Sequence, residues 1–369
     1  MSFYKLGLSY MLVTRLEEMG IIDPTPIQAL CIPEVLKGKD VLGEAQTGTG
    51  KTLAFLLPIF ERINLEDSRT QALVIAPTRE LALQIASVAK QLTQAYPVKL
   101  LAAYGGQDIM AQLHKYGGEA QLVIGTPGRI LDYLRREKLN FSNLDTLVVD
   151  EADQLFQIGF REELYAIMDQ TNPERQTLCF SATLSQSVDH FAEKALNNPV
   201  AMTAPRKQIT LDAIDQYVVL TSNRRKYDDF KRIFKQNYPQ KAVIFCRSRI
   251  GVETLTKEML QDGFDVDALH GGLTQAKREA VMQLFRDNKL RYLVATDVAA
   301  RGLDIEGVSH VFNYNLPDEP ENYVHRIGRS GRAGQIGVAY TFLTGKDEKR
   351  LQAIEAFIGQ SIKQIHLGN

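Results

Sequence analysis

Short apolar runs rich in Val, Ile and Leu recur along the chain, and a longer segment with helical spacing follows most of them. Such runs are typical of strands that are buried on both faces of a parallel sheet, with helices covering each face. In the first half of the chain, the runs lie at residues 40–43, 72–76, 99–103, 121–125, 146–149 and 177–181. They predict six strands that alternate with helices.

The same alternation starts again after about residue 210, with apolar runs at 216–220, 242–246, 266–269, 292–295, 308–312 and 338–342. Residues 348–357 have helical spacing and predict a terminal helix that packs on this second sheet. Between the two series, residues 204–210 contain a proline, basic residues and no apolar run, which is typical of an exposed linker. We therefore expect two α/β lobes at 1–205 and 212–369, joined by a linker at 206–211.

The composition fits an ordinary soluble globular protein, because 44% of the 369 residues are apolar and 24% are charged. The longest apolar runs fall far short of the roughly 20 residues that cross a bilayer. The N-terminal segment mixes charged and apolar residues at helical spacing, unlike a signal peptide. These features predict a cytoplasmic protein without a membrane partner. Its three scattered cysteines, without a CxxC pair, are typical of reduced core thiols.

The charge balance gives no support to a broadly basic surface for nucleic acid. The 43 basic and 44 acidic residues leave a formal net charge of -1. A protein can nevertheless hold a few phosphates with loop amides and a handful of arginines without being basic as a whole. Composition therefore leaves the question of a nucleic-acid partner open.

A glycine-rich segment follows the first predicted strand and precedes a helical segment that starts at Leu53. Its residues are Ala45, Gln46, Thr47, Gly48, Thr49, Gly50, Lys51 and Thr52. In a loop of this kind the backbone amides and the helix N-terminus face phosphate oxygens, the lysine reaches the β and γ phosphates, and the threonine hydroxyl binds Mg²⁺. The alternative is a purely structural turn, which the Gly-Lys-Thr ending disfavours. Ala45 replaces the usual first glycine, so its backbone must adopt a conformation that alanine tolerates.

An acidic segment, Asp150-Glu151-Ala152-Asp153, follows the predicted strand at 146–149. The carboxyl ends of parallel strands are where such sheets bind ligands. Asp150 is therefore expected to hold Mg²⁺ through water, and Glu151 to orient and deprotonate the water that attacks the γ-phosphate. The alternative is a solvated helix start, where acidic residues are common. The nearby phosphate-binding loop favours the catalytic interpretation.

A third segment, from His325 to Arg332, is rich in arginine and glycine and belongs to the second lobe. Guanidinium groups are permanently charged, forked donors that suit the charge developing on a transferring phosphoryl group. We expect its arginines to act on the nucleotide across the cleft between the lobes. Taken alone, the segment is also compatible with a phosphate-contacting loop or a solvated surface.

From Phe3 to about Thr344, the chain resembles the DEAD-box RNA helicase family. Residues 20–28 look like the motif with which this family recognises adenine, and the resemblance implies that the Gln28 amide pairs with the base. Ile21 stands where many members have an aromatic residue, so stacking on adenine falls to Phe3 alone. The resemblance also implies that Arg329 and Arg332 are the arginine fingers and that Asp304 contacts the ribose.

The remaining family motifs occur in order and imply the residues that hold RNA and those that link ATP to lobe closure. The implied RNA contacts are Thr78, Arg79, Gly106, Thr126, Gly128 and Arg129 in the first lobe, and Arg247, Gly271, Gln275, Arg278 and Thr296 in the second. Ser181 and Thr183 are implied to bond to Asp153 and His325, while Arg326 supports the acidic segment. Ser330 replaces a common threonine and keeps the hydroxyl.

The resemblance implies two RecA-like lobes and an RNA-dependent ATPase that uses ATP and Mg²⁺ to unwind or remodel short RNA duplexes. RNA is expected to be held by its backbone with little sequence specificity, by a monomer that works with protein partners in ribonucleoprotein complexes. Two alternatives stay open, an ATP-gated RNA clamp with little unwinding and a DNA translocase of the same superfamily. The other histidines lack metal-ligand spacing and are expected at surfaces or turns: His114, His190, His270, His310 and His366.

Overall fold

The computed structural model describes residues 2–45, 48–105, 120–204, 214–300, 308–330, 337–365 and 367. Its internal contacts divide the chain into two compact units, Met1–Lys207 and Gln208–Asn369. Each unit is built on a seven-stranded sheet whose strand pairs are all parallel in the described residues. The linker predicted at 206–211 lies outside the described residues. No helix in the described part of the chain combines the length and the apolar character that crossing a bilayer requires.

The first lobe starts with a short 3-10 helix, Phe3–Leu6, and contains strands β1 to β7 and helices α1 to α8. The strands are β1 Val41–Glu44, β2 Ala72–Ile75, β3 Leu100–Ala103, β4 Leu122–Gly125, β5 Thr146–Val149, β6 Gln176–Ser181 and β7 Val200–Thr203. The helices are α1 Tyr10–Glu18, α2 Pro26–Leu36, α3 Lys51–Arg62, α4 Arg79–Leu92, α5 Pro127–Arg135, α6 Ala152–Ile158, α7 Arg161–Met168 and α8 Gln186–Ala195. The strand order across the sheet is β3-β4-β2-β5-β6-β1-β7.

Both faces of this sheet are buried, which explains why its central strands are continuously apolar. Along β2, Val74 packs in a cluster with α1 to α4, whereas Leu73 and Ile75 point the other way into a cluster with α5 to α8. Successive side chains of a strand alternate between faces, so a strand covered on both sides needs an apolar residue at nearly every position.

The second lobe repeats this architecture with strands β8 to β14 and helices α9 to α14. The strands are β8 Ile214–Leu220, β9 Ala242–Phe245, β10 Val266–Leu269, β11 Tyr292–Ala295, β12 His310–Asn313, β13 Gly337–Leu343 and β14 Lys363–Ile365. The helices are α9 Lys226–Asn237, α10 Arg249–Gln261, α11 Gln275–Arg286, α12 Asp297–Ala300, α13 Pro320–Ile327 and α14 Glu348–Ile358. The strand order is β10-β11-β9-β12-β13-β8-β14. The terminal helix α14 packs with α13 against β8 and β13, as expected from its spacing.

The two-lobe α/β fold is confirmed, but the predicted number of strands was wrong by one in each sheet. The missed strands, β7 and β14, both lie at a sheet edge, where β7 pairs with β1 and β14 pairs with β8. An edge strand need not be buried on both faces. Accordingly β14 has a single apolar residue, and β7 has only a three-residue apolar run, at 200–202, that is partly exposed. The helix after the glycine-rich loop also starts at Lys51, two residues before the predicted start at Leu53.

Candidate functional site

Most of the predicted functional residues of the first lobe lie at the carboxyl edge of its sheet. This holds for the described residues other than those of the N-terminal motif. The glycine-rich loop follows β1, the acidic segment follows β5 and Thr183 follows β6. These three strands are neighbours in the sheet. The residues with an implied RNA contact follow β2, β3 and β4, which form the other half of the same edge. The nucleotide and RNA residues therefore occupy adjacent halves of one edge, although their motifs interleave along the chain.

The glycine-rich loop leads into α3 in a geometry that only glycine allows at Gly50. This residue caps the helix with a φ of 91°, and a Cβ placed there would lie 2.5 Å from Gln28 Nε2. Lys51 begins the helix and is buried, and among the described residues its Nζ has no hydrogen-bond partner. A buried ammonium without a partner is costly unless an anion meets it. The loop is therefore prepared for phosphate. Gln46 and Thr47 lie outside the described residues.

Ala45 fits the loop without strain. It is buried, and it is not among the described non-glycine residues with a positive φ. Its backbone N–H donates to the carbonyl of Ser181 at 3.0 Å, which joins the start of the loop to the end of β6. The alanine that replaces the usual first glycine therefore keeps a conformation open to any residue.

Gln28 contacts protein at both ends of its amide, and its pairing with adenine stays a prediction. Its Oε1 accepts from the Thr25 backbone N–H at 2.9 Å, and its Nε2 donates to the Gly50 carbonyl at 3.0 Å. The side chain thus joins the start of α2 to the glycine-rich loop. Pairing with a base would require these bonds to be exchanged.

Phe3 lies in the core of the first lobe. The residue is 1% exposed and packs in the cluster formed by α1 to α4. Stacking on adenine, as the resemblance implies, would require the segment around this ring to shift.

Asp150 carries a carboxyl that is nearly sealed from solvent at the end of β5. The residue is 2% exposed, and burial raises the pKa of its carboxyl above the usual range. The charge of Lys51 and a 3.0 Å hydrogen bond from the Glu151 N–H oppose this rise, while Asp153 adds to it. A buried carboxylate in this position gains stability from a cation.

Mg²⁺ fits this site as an ion shared with a nucleotide. Within the described ranges, no group of three or more His, Cys, Asp or Glu side chains is arranged to hold a metal by itself. Magnesium is commonly held by one or two protein oxygens together with substrate phosphates and water. Asp150 and the Thr52 hydroxyl are the protein oxygens that the sequence offers to such an ion.

Glu151 has a left-handed backbone, with φ 49° and ψ 54°, as it leads into α6. A non-glycine residue in this region carries a cost of about 1–2 kcal/mol, and such residues are found preferentially at functional sites. The residue is buried. The strained turn directs the chain after β5 so that Asp150 and Glu151 lie in succession at the sheet edge.

Asp153 is bonded to the end of β6 inside the first lobe. The Thr183 hydroxyl donates to Asp153 Oδ2 at 3.1 Å, and the Ser181 hydroxyl donates to the Thr183 carbonyl at 2.7 Å. The backbone N–H of Asp153 donates to Ser181 Oγ at 3.4 Å. These contacts connect the acidic segment to the strand that also anchors the glycine-rich loop.

The residues with an implied RNA contact in the first lobe lie at or beside helix starts. Thr78 precedes α4, and its Oγ1 accepts from the backbone N–H of Leu81 at 3.2 Å. Arg79 donates to the Gly105 carbonyl at 2.8 Å, and its guanidinium lies 4.5 Å from the centre of the Tyr104 ring. The residues that begin α5 are half-buried or exposed: Thr126, Gly128 and Arg129. Gly106 lies outside the described residues.

In the second lobe, the described hydrogen bonds of Arg326 all lie within its own lobe, and its support of the acidic segment stays a prediction. Arg326 is 2% exposed, and its Nε and Nη2 donate to the two carboxylate oxygens of Asp297 at 2.5 and 2.6 Å. Its Nη1 donates to Asn313 Oδ1 at 3.1 Å and to the Asn315 carbonyl at 2.6 Å. Asp297 had received no role from the sequence, although an acid directly after Thr296 was the available signal.

The arginine-rich segment is described as far as Ser330. Arg329 is buried, and the Ser330 hydroxyl donates to the Ile327 carbonyl at 2.8 Å, so the hydroxyl that replaces threonine closes the end of α13. His325 is half-buried in α13. Arg332 and Asp304 lie outside the described residues.

The implied RNA residues of the second lobe again follow adjacent strands, namely β9, β10 and β11. Arg247 follows β9, and its guanidinium lies between Asp318, at 3.7 Å, and Asp347, at 3.9 Å. Gly271 is exposed after β10, and the Thr296 N–H donates to the Leu269 carbonyl at 3.3 Å. Arg278 is half-buried in α11. The side chain of Gln275 lies outside the described part of the structure.

Two family models match the sequence, the DEAD/DEAH box helicase over residues 25–191 and the helicase conserved C-terminal domain over residues 225–334. The chain is 44% identical over 354 residues to the DEAD-box ATP-dependent RNA helicase CshA of Geobacillus kaustophilus, covering 96% of this chain and 76% of that protein. CshA of Bacillus subtilis is 42% identical over 354 residues, covering 96% and 72% of the two chains.

Solved structures with the same fold include S. cerevisiae Dbp5 bound to RNA and ADP BeF3, which is 30% identical with a TM-score of 0.87 and covers 99% of this chain and 95% of that one. Another is Mss116p bound to ssRNA and AMP-PNP, which is 31% identical with a TM-score of 0.87 and covers 100% and 79%. Both likenesses confirm the expected RecA-like fold. With this fold, these sequence matches and its phosphate-binding loop beside a buried acid, the chain belongs to the DEAD-box family of ATP-dependent RNA helicases.

Proposed function

We propose that this protein hydrolyses ATP to ADP and phosphate in a cycle coupled to RNA binding, and that the cycle separates or remodels short RNA duplexes. The observation that carries the proposal is a buried Lys51 ammonium, whose Nζ has no hydrogen-bond partner among the described residues, together with a buried Asp150 carboxyl on which its charge acts. Each group has a cost that an ATP polyphosphate with a divalent cation would relieve.

The first lobe supplies most of the chemistry. Lys51 and the first backbone amides of α3 bind the β and γ phosphates, while Asp150 and Thr52 hold Mg²⁺. When bound, Mg²⁺ neutralises charge on the phosphate oxygens. Glu151 accepts a proton from the attacking water, which forms a bond to the γ-phosphorus as the bond to the ADP oxygen breaks. The proton ends on phosphate or solvent, so no further reactant is needed.

The second lobe supplies the charge that completes the transition state. We assign this role to Arg329 and Arg332, because forked and permanently charged donors suit a transferring phosphoryl group. We do not assign Arg326 to the transition state, because all of its described hydrogen bonds lie within its own lobe. ATP and RNA each favour a closed arrangement of the lobes, and together they stabilise an arrangement that neither reaches alone.

RNA is held by its backbone, in the first lobe at the half of the sheet edge formed by β2, β3 and β4 and in the second lobe at the ends of β9, β10 and β11. Loop amides, hydroxyls and a few arginines make such contacts without reading bases. This mode agrees with a net charge of -1, since it needs few basic residues. The related structures of Dbp5 and Mss116p contain RNA together with a nucleotide analogue. We propose that closure bends one RNA strand, which a continuous A-form duplex cannot follow.

The direct test measures ATP hydrolysis with and without RNA in the wild type, in Glu151→Gln and in Glu162→Gln. We expect RNA to stimulate the wild type and the Glu162→Gln control, whose carboxyl is exposed on α7. Glu151→Gln should still bind ATP but turn over about 10²–10⁴-fold more slowly. Full activity of Glu151→Gln, or no stimulation by RNA, would contradict the proposal.

The same assay separates the alternatives. Equal stimulation by DNA and RNA would indicate a DNA translocase. Slow turnover with prolonged RNA retention and no release of a labelled duplex strand would indicate an ATP-gated clamp.

We also propose that the protein acts in the cytoplasm as a monomer that joins ribonucleoprotein partners. In support of a reducing compartment, all three cysteines are buried, and burial raises the pKa of the Cys31 and Cys246 thiols to about 12. A thiol so reluctant to ionise is inert toward disulfide exchange. Sedimentation at micromolar concentration tests the monomer, and a dimer there would overturn it.

A further inference from the structure

His270 lies directly after strand β10 at the start of a turn, one of the two positions expected for it, but it is buried. The residue is 2% exposed and is followed by Gly271, which has an implied RNA contact. The other histidines behave differently: His190 is exposed on α8, His310 is half-buried at the start of β12, and His114 and His366 lie outside the described residues. A buried imidazole beside a predicted binding loop calls for a specific role.

The imidazole of His270 has a fixed hydrogen-bonding pattern. The backbone N–H of Gly272 donates to His270 Nδ1 at 3.1 Å. Because Nδ1 accepts a hydrogen bond, the proton of the neutral ring resides on Nε2. That nitrogen lies 3.5 Å from Glu253 Oε1 on α10, and the same oxygen accepts from Arg249 Nε at 2.9 Å. The ring therefore connects the loop after β10 to helix α10.

The loop itself is anchored on one side and open on the other. A Cβ at Gly272 would lie 2.4 Å from the guanidinium carbon of Arg249, so the side chain of this exposed arginine on α10 lies over the Gly272 backbone. A Cβ at Gly271 would meet nothing within 4 Å, and Gly271 is exposed. The N–H of Leu273 closes the turn on the His270 carbonyl at 3.2 Å. His270 is thus the buried residue of a turn that presents Gly271 to solvent, and it accepts a hydrogen bond from the Gly272 N–H of the same turn.

We propose that His270 is a positioning residue for RNA: in its neutral form it fixes the turn 270–273 so that the Gly271 backbone meets a phosphate, and protonation of Nδ1 releases the turn. This inference rests on the proposed RNA contact of Gly271. Thr296 lies beside the same turn, because its N–H donates to the Leu269 carbonyl at 3.3 Å. Loss of order at His270 would therefore disturb two implied RNA contacts.

The charges around His270 favour the neutral ring at neutral pH. Burial lowers the pKa of His270 below its ordinary value, and Arg249 on α10 and Arg278 on α11 lower it further, while Glu253 on α10 raises it. Nδ1 therefore accepts a hydrogen bond above this lowered pKa and stops accepting one as the pH falls through it. RNA affinity should accordingly decrease as the pH falls through the pKa of His270.

The test compares three variants by RNA affinity at constant salt between pH 8 and pH 5.5, with a single-stranded RNA as the probe. We expect His270→Leu, which has no acceptor, to bind RNA about fivefold more weakly at pH 8, as expected for one lost hydrogen bond. His270→Asn places an acceptor that does not titrate near the position of Nδ1, so its affinity should stay close to that of the wild type and should change less with pH. His190→Asn, at an exposed site in the other lobe, should behave as the wild type.

Three readouts separate positioning from a purely structural role. ATP affinity without RNA should be unchanged in His270→Asn, and in the wild type the amide shift of Gly272 should move with the titration of the His270 ring. A Gly272 amide that ignores this titration, or a His270→Asn variant with the same pH profile as the wild type, would overturn the inference. So would wild-type RNA affinity in a folded His270→Leu. If the wild type binds no RNA at all, the proposed function itself fails.

Discussion

Three buried charged side chains differ in whether other side chains or the backbone bind them. Lys51, Asp150 and Arg326 are all largely shielded from water, yet they differ in how their charge is met. Arg326 has a full set of partners within the second lobe, whereas among the described residues Lys51 Nζ has none. A satisfied buried charge stabilises local structure, while an unsatisfied one marks a place where a ligand is required. This difference assigns Arg326 to structure and Lys51 to binding.

Asp150 should reduce the stability of the nucleotide-free protein. Burial raises the pKa of its carboxyl, so the folded state binds a proton more readily than the unfolded chain and stability falls as pH rises through this pKa. At neutral pH, Asp150→Asn should therefore unfold at a temperature a few degrees higher without Mg²⁺ and ATP, while its ATPase activity is lost. Thermal unfolding with and without Mg-ATP measures both effects. A lower unfolding temperature for the apo variant would contradict this account.

Arg326 should be essential to the second lobe as a structural ion pair. Arg326→Met leaves the half-buried Asp297 carboxylate and the buried Asn313 without the guanidinium that meets them, and leaving such groups unsatisfied costs about 1–3 kcal/mol. The double variant Arg326→Met, Asp297→Asn should recover part of this loss because the uncompensated carboxylate is gone. Denaturant unfolding followed by circular dichroism measures the three proteins. No difference between the single and the double variant would argue against the pair.

At the scale of elements, the start of α3 is shaped by its neighbour α2. Gly50 adopts a left-handed conformation at the cap, and Gln28 reaches from α2 to its carbonyl. The loop that we propose to bind phosphate is thereby held in place by Gln28 in the absence of nucleotide. Preorganised donors lose less entropy when they bind, which favours tight binding by a short loop.

Removing this brace should affect the loop even without nucleotide. Gln28→Ala loses its bonds to the Thr25 N–H and the Gly50 carbonyl, at about 1 kcal/mol each, so the unfolding temperature of the apo protein should fall by several degrees. Titration with ATP and with GTP then separates two roles. Equal weakening of both indicates a brace, whereas a loss confined to ATP indicates that the amide also reads adenine. An unchanged apo unfolding temperature would exclude the brace.

At the scale of the whole molecule, the two lobes have the same arrangement of strands and implied RNA residues. In each, the implied RNA residues follow three neighbouring strands, β3-β4-β2 in the first lobe and β10-β11-β9 in the second. The nucleotide residues of the first lobe follow β5-β6-β1. The two halves meet where β2 pairs with β5, so we expect a change at the nucleotide to reach the RNA across this strand pair. Thr183 and Asp153 connect β6 to the acidic segment at this boundary.

Thr183→Val should uncouple hydrolysis from duplex separation. Valine keeps the volume of threonine but removes the hydroxyl that donates to Asp153 Oδ2 at 3.1 Å. We expect RNA-stimulated ATPase activity to persist while strand release per ATP falls roughly tenfold or more, as expected for one hydrogen bond to a charged group. Thr183→Ser retains the donor and is the matched control. Equal losses of hydrolysis and strand release in Thr183→Val would contradict a coupling role.

The sequence by itself determined the elements and motifs whose signal is local. Buried central strands must be apolar at successive positions, so their runs reveal them, and a phosphate loop needs its glycines and lysine in consecutive order. The acidic segment and the arginine-rich segment can be recognised for the same reason, because their functional residues are consecutive or nearly so. The family resemblance added the assignment to RNA, which neither composition nor net charge supplies.

The tertiary structure alone decided which residues meet. The strand order brings β1 beside β6 although more than 100 residues separate them, and it places β7 and β14 at edges where no apolar run is required. The contacts of Gln28 with Gly50, of Arg326 with Asp297 and of His270 with Glu253 join different elements, so the sequence around each residue gave no sign of them. Contacts between distant segments depend on how sheets and helices pack, and local periodicity carries no information about that packing.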